Sequence, residues 1–214
     1  MAVCLMNMNN FEKALQLFQE VEEVQLKTLG PSHKDYVTTK NNMAVCLINM
    51  NNFEKALQLF QEVEEVQFKT LGPSHPEYLT TKNNMAVFLM NMNNLEKALQ
   101  LFQEVEEVQL KTLGPSHPEY LTTKNNMAGC LRNMNNLEKA LQLFQEVEEK
   151  QLKTLGPSHP EYLTTKRNMA GCLRKMNNFE KALQLFQEVE EKQLKTLGPS
   201  HPCLLYTSPS PRDS

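Results

Sequence analysis

Glycine is scarce in this chain, 7 in 214 residues, and no segment alternates apolar with polar residues. Both absences exclude a strand-built propeller. No apolar run approaches the roughly 18 residues that cross a bilayer. The opening residues Met1 to Asn7 lack the basic-then-apolar layout of a secretory leader, so the expected compartment is cytoplasmic. The five cysteines include no Cys-X-X-Cys pair, which removes the commonest zinc frame. A net charge of −3 supplies no basic surface for nucleic acid or for an anionic membrane.

What is present is a period. Met1, Met43, Met85, Met127 and Met169 open copies spaced 42 residues apart. The second and third copies differ at four positions, Cys46/Phe88, Ile48/Met90, Phe53/Leu95 and Phe68/Leu110. Self-similarity of this length marks a solenoid or an array. The expected copies span 1–42, 43–84, 85–126, 127–168 and 169–202, the first and last incomplete. Cys4, Cys46, Cys130 and Cys172 share one column with Phe88. A slot that takes either Cys or Phe is an apolar packing slot.

Each copy carries two helices. Gly114-Pro115 stops one helix, because Gly accepts positive φ and Pro cannot continue. Pro118-Glu119 starts the next, with Pro at the first turn and Glu at the positive end of the dipole. The signals predict helix A from about Pro118 to Met134 and helix B from about Leu137 to Thr154. Asn135-Asn136 breaks between them, since Asn tolerates the left-handed conformation. In the third copy Leu95, Ala98, Leu99, Phe102, Val105, Leu110 and Leu113 fall near one face of helix B. Glu104, Glu106 and Glu107 read as a solvated face. Met8, Met50, Met92, Met134 and Met176 read as core at the end of helix A. A single hairpin cannot bury both faces of its helices, so the copies must stack.

No constellation for chemistry emerges. His33, His75, His117, His159 and His201 recur once per copy, too far apart to share a metal at ~2 Å bond lengths, and read as helix-entry residues. No glycine-rich phosphate loop occurs, and every candidate nucleophile or base is copied in each repeat. The expectation is a chain that is not an enzyme and has no cofactor, no metal and no small-molecule substrate.

The order of small and large residues is more specific. Ala86 is followed by Leu89 in helix A, and Ala98 by Phe102 and Val105 in helix B. This pattern resembles the tetratricopeptide signature, in which small residues let two helices approach. The 42-residue period with Leu-Gly-X-X-His-Pro and Asn-Asn-X-Ala is similar to the kinesin-light-chain-like subclass, as in kinesin light chain and nephrocystin-3. Asn93 stands where that subclass usually has Gly, and Leu89 where Tyr is common. The resemblance implies an all-α, right-handed superhelical solenoid of stacked helix–turn–helix repeats.

It also implies a protein-interaction scaffold whose first helices line a concave groove for an extended peptide or partner protein. By resemblance, Asn42, Asn84, Asn126 and Asn168 hold the ligand backbone; a carboxamide both donates and accepts. Beside them lie Asn83, Asn125, Val45, Ile48, Val87 and Met90 in the earlier copies. Arg132, Arg167, Arg174 and Lys175 take groove positions in the later ones, with Gly129 and Gly171 leaving space. That change along the groove suits a ligand with apolar residues at one end and acidic residues at the other; drift between duplicated copies would give the same pattern. The alternatives are a sensor or regulatory segment of a larger signalling NTPase or enzyme, and a cargo adaptor of a kinesin motor. Residues 203–214 break the repeat and read as the translation of a sequencing adapter, which makes the chain an expected fragment of a longer array.

Overall fold

The computed structural model describes residues 1–197, and side chains through Lys195. The adapter-like segment 203–214 and His201 lie outside the described residues. Ten helices and no strand occur among the described residues: α1 (Ala2–Asn7), α2 (Phe11–Thr28), α3 (Lys34–Asn49), α4 (Phe53–Leu71), α5 (Pro76–Asn91), α6 (Leu95–Thr112), α7 (Pro118–Asn133), α8 (Leu137–Thr154), α9 (Pro160–Lys175) and α10 (Phe179–Leu197). The predicted bounds of α7 and α8 hold to within a residue. Among the described residues no helix is long and apolar enough to cross a membrane. The chain divides into two compact units, Met1–Met92 and Asn93–Ser214.

Two kinds of turn alternate. The shorter uses asparagine: Asn51 sits at φ 58° and Asn135 at φ 61°. Around Asn135 the amide of Asn136 reaches back to the Leu131 carbonyl at 2.9 Å. That i to i−5 bond after a left-handed residue closes a helix whose last carbonyls would otherwise lack donors. The longer turn uses glycine. Gly72 has φ 85° and ψ 167°, a region open in practice only to Gly. A left-handed Asn is tolerated, but no other residue would fit at Gly72.

The next helix then starts on histidine. Nδ1 of His117 accepts the Glu119 backbone N–H at 3.3 Å, and His33, His75 and His159 do the same. The recurring His is thus an N-cap, satisfying one of the amides that a helix start leaves unpaired.

Packing follows the small–large rule. In unit 2, Ala128, Ala140, Phe144, Met169 and Cys172 form one buried cluster. In unit 1, Ala14, Phe18, Met43 and Cys46 form its counterpart. Cys46, Cys130 and Cys172 have no exposed surface and Phe88 almost none, so the shared column is core; Cys4, on the short α1, is exposed.

Three expectations need correction. Leu110 points outward, and Gln109 is buried in its place; four residues after Val105 is the position that returns to the core face. The methionines at the end of helix A are not core. Met8 and Met92 are exposed, and Met50, Met134 and Met176 only half-buried. They occupy the C-cap, as Met134 does at φ −73°.

The glutamates of helix B are not a uniformly solvated face. Glu106 is half-buried and accepts the Tyr120 hydroxyl at 2.8 Å. The same bond links Tyr36 to Glu22, Tyr78 to Glu64 and Tyr162 to Glu148. A lysine one turn after each tyrosine joins the set. Lys40 sits between Glu22 at 2.8 Å and Glu62 at 3.0 Å with its side chain 9% exposed. Burial opposes its charge, but the hydrogen bonds to Glu22 and Glu62 outweigh it and hold its pKa above the ordinary lysine value. Lys124 pairs with Glu146 at 2.6 Å, and Lys166 with both Glu148 and Glu188. Within each unit this ladder ties a helix A to the helix B on either side of it, α3 in unit 1 and α9 in unit 2.

Candidate functional site

Helix A offers one side to helix B and leaves another partly uncovered. In unit 1 that free side is concave. Asn41, Asn42, Val45 and Ile48 of α3 and Asn84, Val87 and Asn91 of α5 line a pocket of about 460 Å³. The rings of Phe60 and Phe88, with centroids 5.7 Å apart, complete its wall. The Asn41 Oδ1 is buried and has no hydrogen-bond partner among the described residues. Such an acceptor costs about 1–3 kcal/mol when nothing donates to it.

Five predicted groove residues, Asn42, Asn84, Val45, Ile48 and Val87, therefore meet in one pocket. Met90 and Asn83 are half-buried and lie outside its lining. Asn41 and Asn91 also line it; they stand in the columns of Arg167 and Lys175, already expected as groove positions. Helical spacing agrees, because 41, 45 and 48, like 84, 87 and 91, share a helix face.

Unit 2 fills the corresponding columns differently. Nη1 of Arg132 donates to Asn168 Oδ1 at 3.3 Å. A Cβ on Gly171 would stand 3.2 Å from that same nitrogen, so the Gly171 space holds the Arg132 guanidinium. Gly129, by contrast, has nothing within 4 Å of a Cβ position. Lys175 Nζ donates to the Arg132 carbonyl at 3.3 Å. Burial pushes the Cys172 thiol pKa up, while Arg132 and Lys175 pull it back.

Arg167 Nη2 donates to Gln193 Oε1 at 3.2 Å, and the Arg174 side chain is exposed. Asn125 Oδ1 lies 3.4 Å from Thr165 Oγ1, and Asn126 is half-buried. The basic residues of unit 2 are thus held partly by one another's backbone and by amides. An incoming carboxylate would compete with Asn168 for Arg132.

A family model described as Tetratricopeptide repeat matches residues 1–67, 77–152 and 121–195. No curated protein sequence matches the chain. Among solved structures, a variant form of a candidate kinesin light chain from Podosopora anserina, with nearly identical TPR-like repeats, superposes with a TM-score of 0.76 at 26% identity, over 92% of either chain. BtubC (BKLC) from P. vanneervenii matches with a TM-score of 0.75 at 16% identity, over 100% of this chain and 82% of its own. The Rap conjugation gene regulator of plasmid pLS20, in complex with the Phr* peptide, matches with a TM-score of 0.69 at 15% identity, over 92% of this chain and 52% of its own.

Proposed function

The chain belongs to the tetratricopeptide repeat family, in its kinesin-light-chain-like subclass, and we propose that it is an interaction scaffold that holds an extended peptide or a partner protein against its first helices, with no reaction of its own. The repeats are taken to run from 43, 85 and 127, with partial copies at 1–42 and 169–202. The observation that carries the proposal is the unit 1 pocket, where an unpartnered Asn41 carbonyl oxygen stands among apolar walls and further amides. A peptide N–H would satisfy that oxygen, Asn42 and Asn84 would hold the neighbouring backbone, and Val45, Ile48 and Val87 would take an apolar side chain.

Unit 2 adds Arg132, Arg174 and Lys175, which favour acidic residues; an arginine grips a carboxylate with two parallel hydrogen bonds. Taken separately, unit 1 favours an apolar segment and unit 2 an acidic one. The peptide held by the Rap regulator is consistent with an array of this fold acting as a peptide receptor.

The test is a randomised peptide display selection on the intact chain, repeated with Asn42→Leu/Asn84→Leu. The proposal expects a defined binder motif that the double variant fails to enrich. Absence of any motif, or equal enrichment by the variant, would refute it.

A further inference from the structure

One column of the repeat sets a polar side chain inside the stack. Gln67, Gln109 and Gln151 of helix B are all buried. In unit 2, Thr165 Oγ1 of α9 lies 2.7 Å from Gln151 Oε1 of α8 and 3.4 Å from Asn125 Oδ1 of α7. Three columns, one from each of three successive helices, therefore converge on a polar node, and Thr165 closes it.

The same columns in unit 1 hold Asn41 of α3, Gln67 of α4 and Thr81 of α5. Here the node is not closed. Gln67 has no exposed surface, and neither its Oε1 nor its Nε2 has a partner among the described residues. Asn41 Oδ1 is buried without one as well. Among the described glutamines of the column, Gln67 alone has both polar atoms buried and unpartnered. Buried polar atoms are nearly always hydrogen-bonded, so three unpaired ones in converging columns call for a partner from outside the chain.

Asn41 belongs both to the node and to the lining of the 460 Å³ pocket, which puts the node at the floor of that pocket. Gln67 is not part of the lining, so what reaches it is a side chain inserted past Asn41 rather than a ligand main chain. The unpaired set is two acceptors, Asn41 Oδ1 and Gln67 Oε1, and one donor group, Gln67 Nε2. A carboxylate brings acceptors only, and an ammonium or guanidinium brings donors only. A hydroxyl has one proton for two acceptors. A primary carboxamide has two N–H protons and a carbonyl oxygen, and so satisfies all three atoms.

We infer that the unit 1 pocket takes a glutamine or asparagine side chain of its peptide ligand, the carboxamide NH2 donating to Asn41 Oδ1 and Gln67 Oε1 while its oxygen accepts from Gln67 Nε2. The inference rests on the reading of unit 1 as a peptide groove, and it makes the N–H that meets Asn41 a side-chain one. Val45, Ile48 and Val87 flank the entry to the node and receive the apolar neighbours of that residue.

The test is peptide display on the intact chain and on Gln67→Met, followed by calorimetry with a selected peptide. The intact chain should fix Gln or Asn at one position of its motif. Gln67→Met should select the same motif with that position released. On the unaltered protein, exchanging the fixed residue for Leu, or for its Glu or Asp analogue, should weaken binding by about ten- to a hundredfold. The penalty for Leu should vanish on Gln67→Met. A motif with no Gln or Asn position, as expected if water alone serves the node, overturns the inference and leaves the peptide groove standing. So does a preference that Gln67→Met leaves intact. Absence of any motif on either protein overturns both.

Discussion

Units 1 and 2 put different side chains on the same helical frame, and the difference separates an open pocket with an unpaired polar atom from a surface whose polar side chains hold one another. In unit 1 the groove columns hold Asn42, Val45 and Ile48, and a pocket of about 460 Å³ remains with an unpaired amide oxygen in it. In unit 2 the columns hold Asn168, Gly171 and Arg132, and the arginine lies against both neighbours. Inside, polar satisfaction varies from copy to copy. Thr165 Oγ1 donates to Gln151 Oε1 at 2.7 Å in unit 2, the Gln109 Oε1 of the same unit has no partner among the described residues, and in unit 1 neither polar atom of the fully buried Gln67 has one. Near-identical sequence therefore fixes the backbone of every copy while leaving polar satisfaction to vary.

The largest expected effect comes from the aromatic column. Phe144→Ala should destabilise unit 2 by about 3–5 kcal/mol, since its ring has no exposed surface and the cavity cannot fill. Phe60→Ala should cost less, because its ring already borders the open pocket. Urea unfolding of the two variants measures the gap; equal losses would erase the distinction between the units.

Next in size is the glutamine column. Gln67→Met removes an unpaired buried amide and should stabilise unit 1 by about 1–3 kcal/mol. Gln151→Met breaks the bond to Thr165 and should destabilise unit 2 by about 1 kcal/mol. The same unfolding experiment reads both, and a shared sign would contradict the comparison.

The smallest effect is spectroscopic. Burial raises the pKa of every ladder tyrosine, and after burial the leading influences differ. Lys40 and Lys82 pull Tyr36 and Tyr78 down, whereas Glu106 and Glu148 push Tyr120 and Tyr162 further up, Tyr162 to about 12. A phenol whose folded pKa is raised adds stability that is complete below the unfolded value near 10 and is lost as pH climbs through the folded value. Ultraviolet titration should show Tyr120 and Tyr162 ionising after Tyr36 and Tyr78, as assigned with Tyr→Phe variants. Unit 2 should lose more stability than unit 1 between about pH 10 and 12.

The helix bounds, the asparagine turn and the buried cysteine column were legible because each depends on local preference or on periodicity. The ladder was not. Glu106 resembles its solvated neighbours in sequence, and only the fold brings Tyr120, fourteen residues away, to it. Gln109 displaced Leu110 from the expected face for the same reason: polarity was taken as a sign of exposure. In the candidate site, the family resemblance put positions 42, 45, 48, 84 and 87 on one surface, and they do line one pocket. That Arg132 would fill the space of Gly171 was not legible, because it depends on the reach of a side chain between helices about forty residues apart in sequence.

The most direct test selects peptides in parallel on three proteins: the unaltered chain, Val45→Glu/Val87→Glu in unit 1 and Arg132→Glu/Arg174→Glu in unit 2. The unaltered chain should enrich peptides with an apolar segment and an acidic segment. The unit 1 variant should lose only the apolar preference, and the unit 2 variant only the acidic one. If all three proteins select the same peptides, the first helices are not the binding surface and the account is wrong.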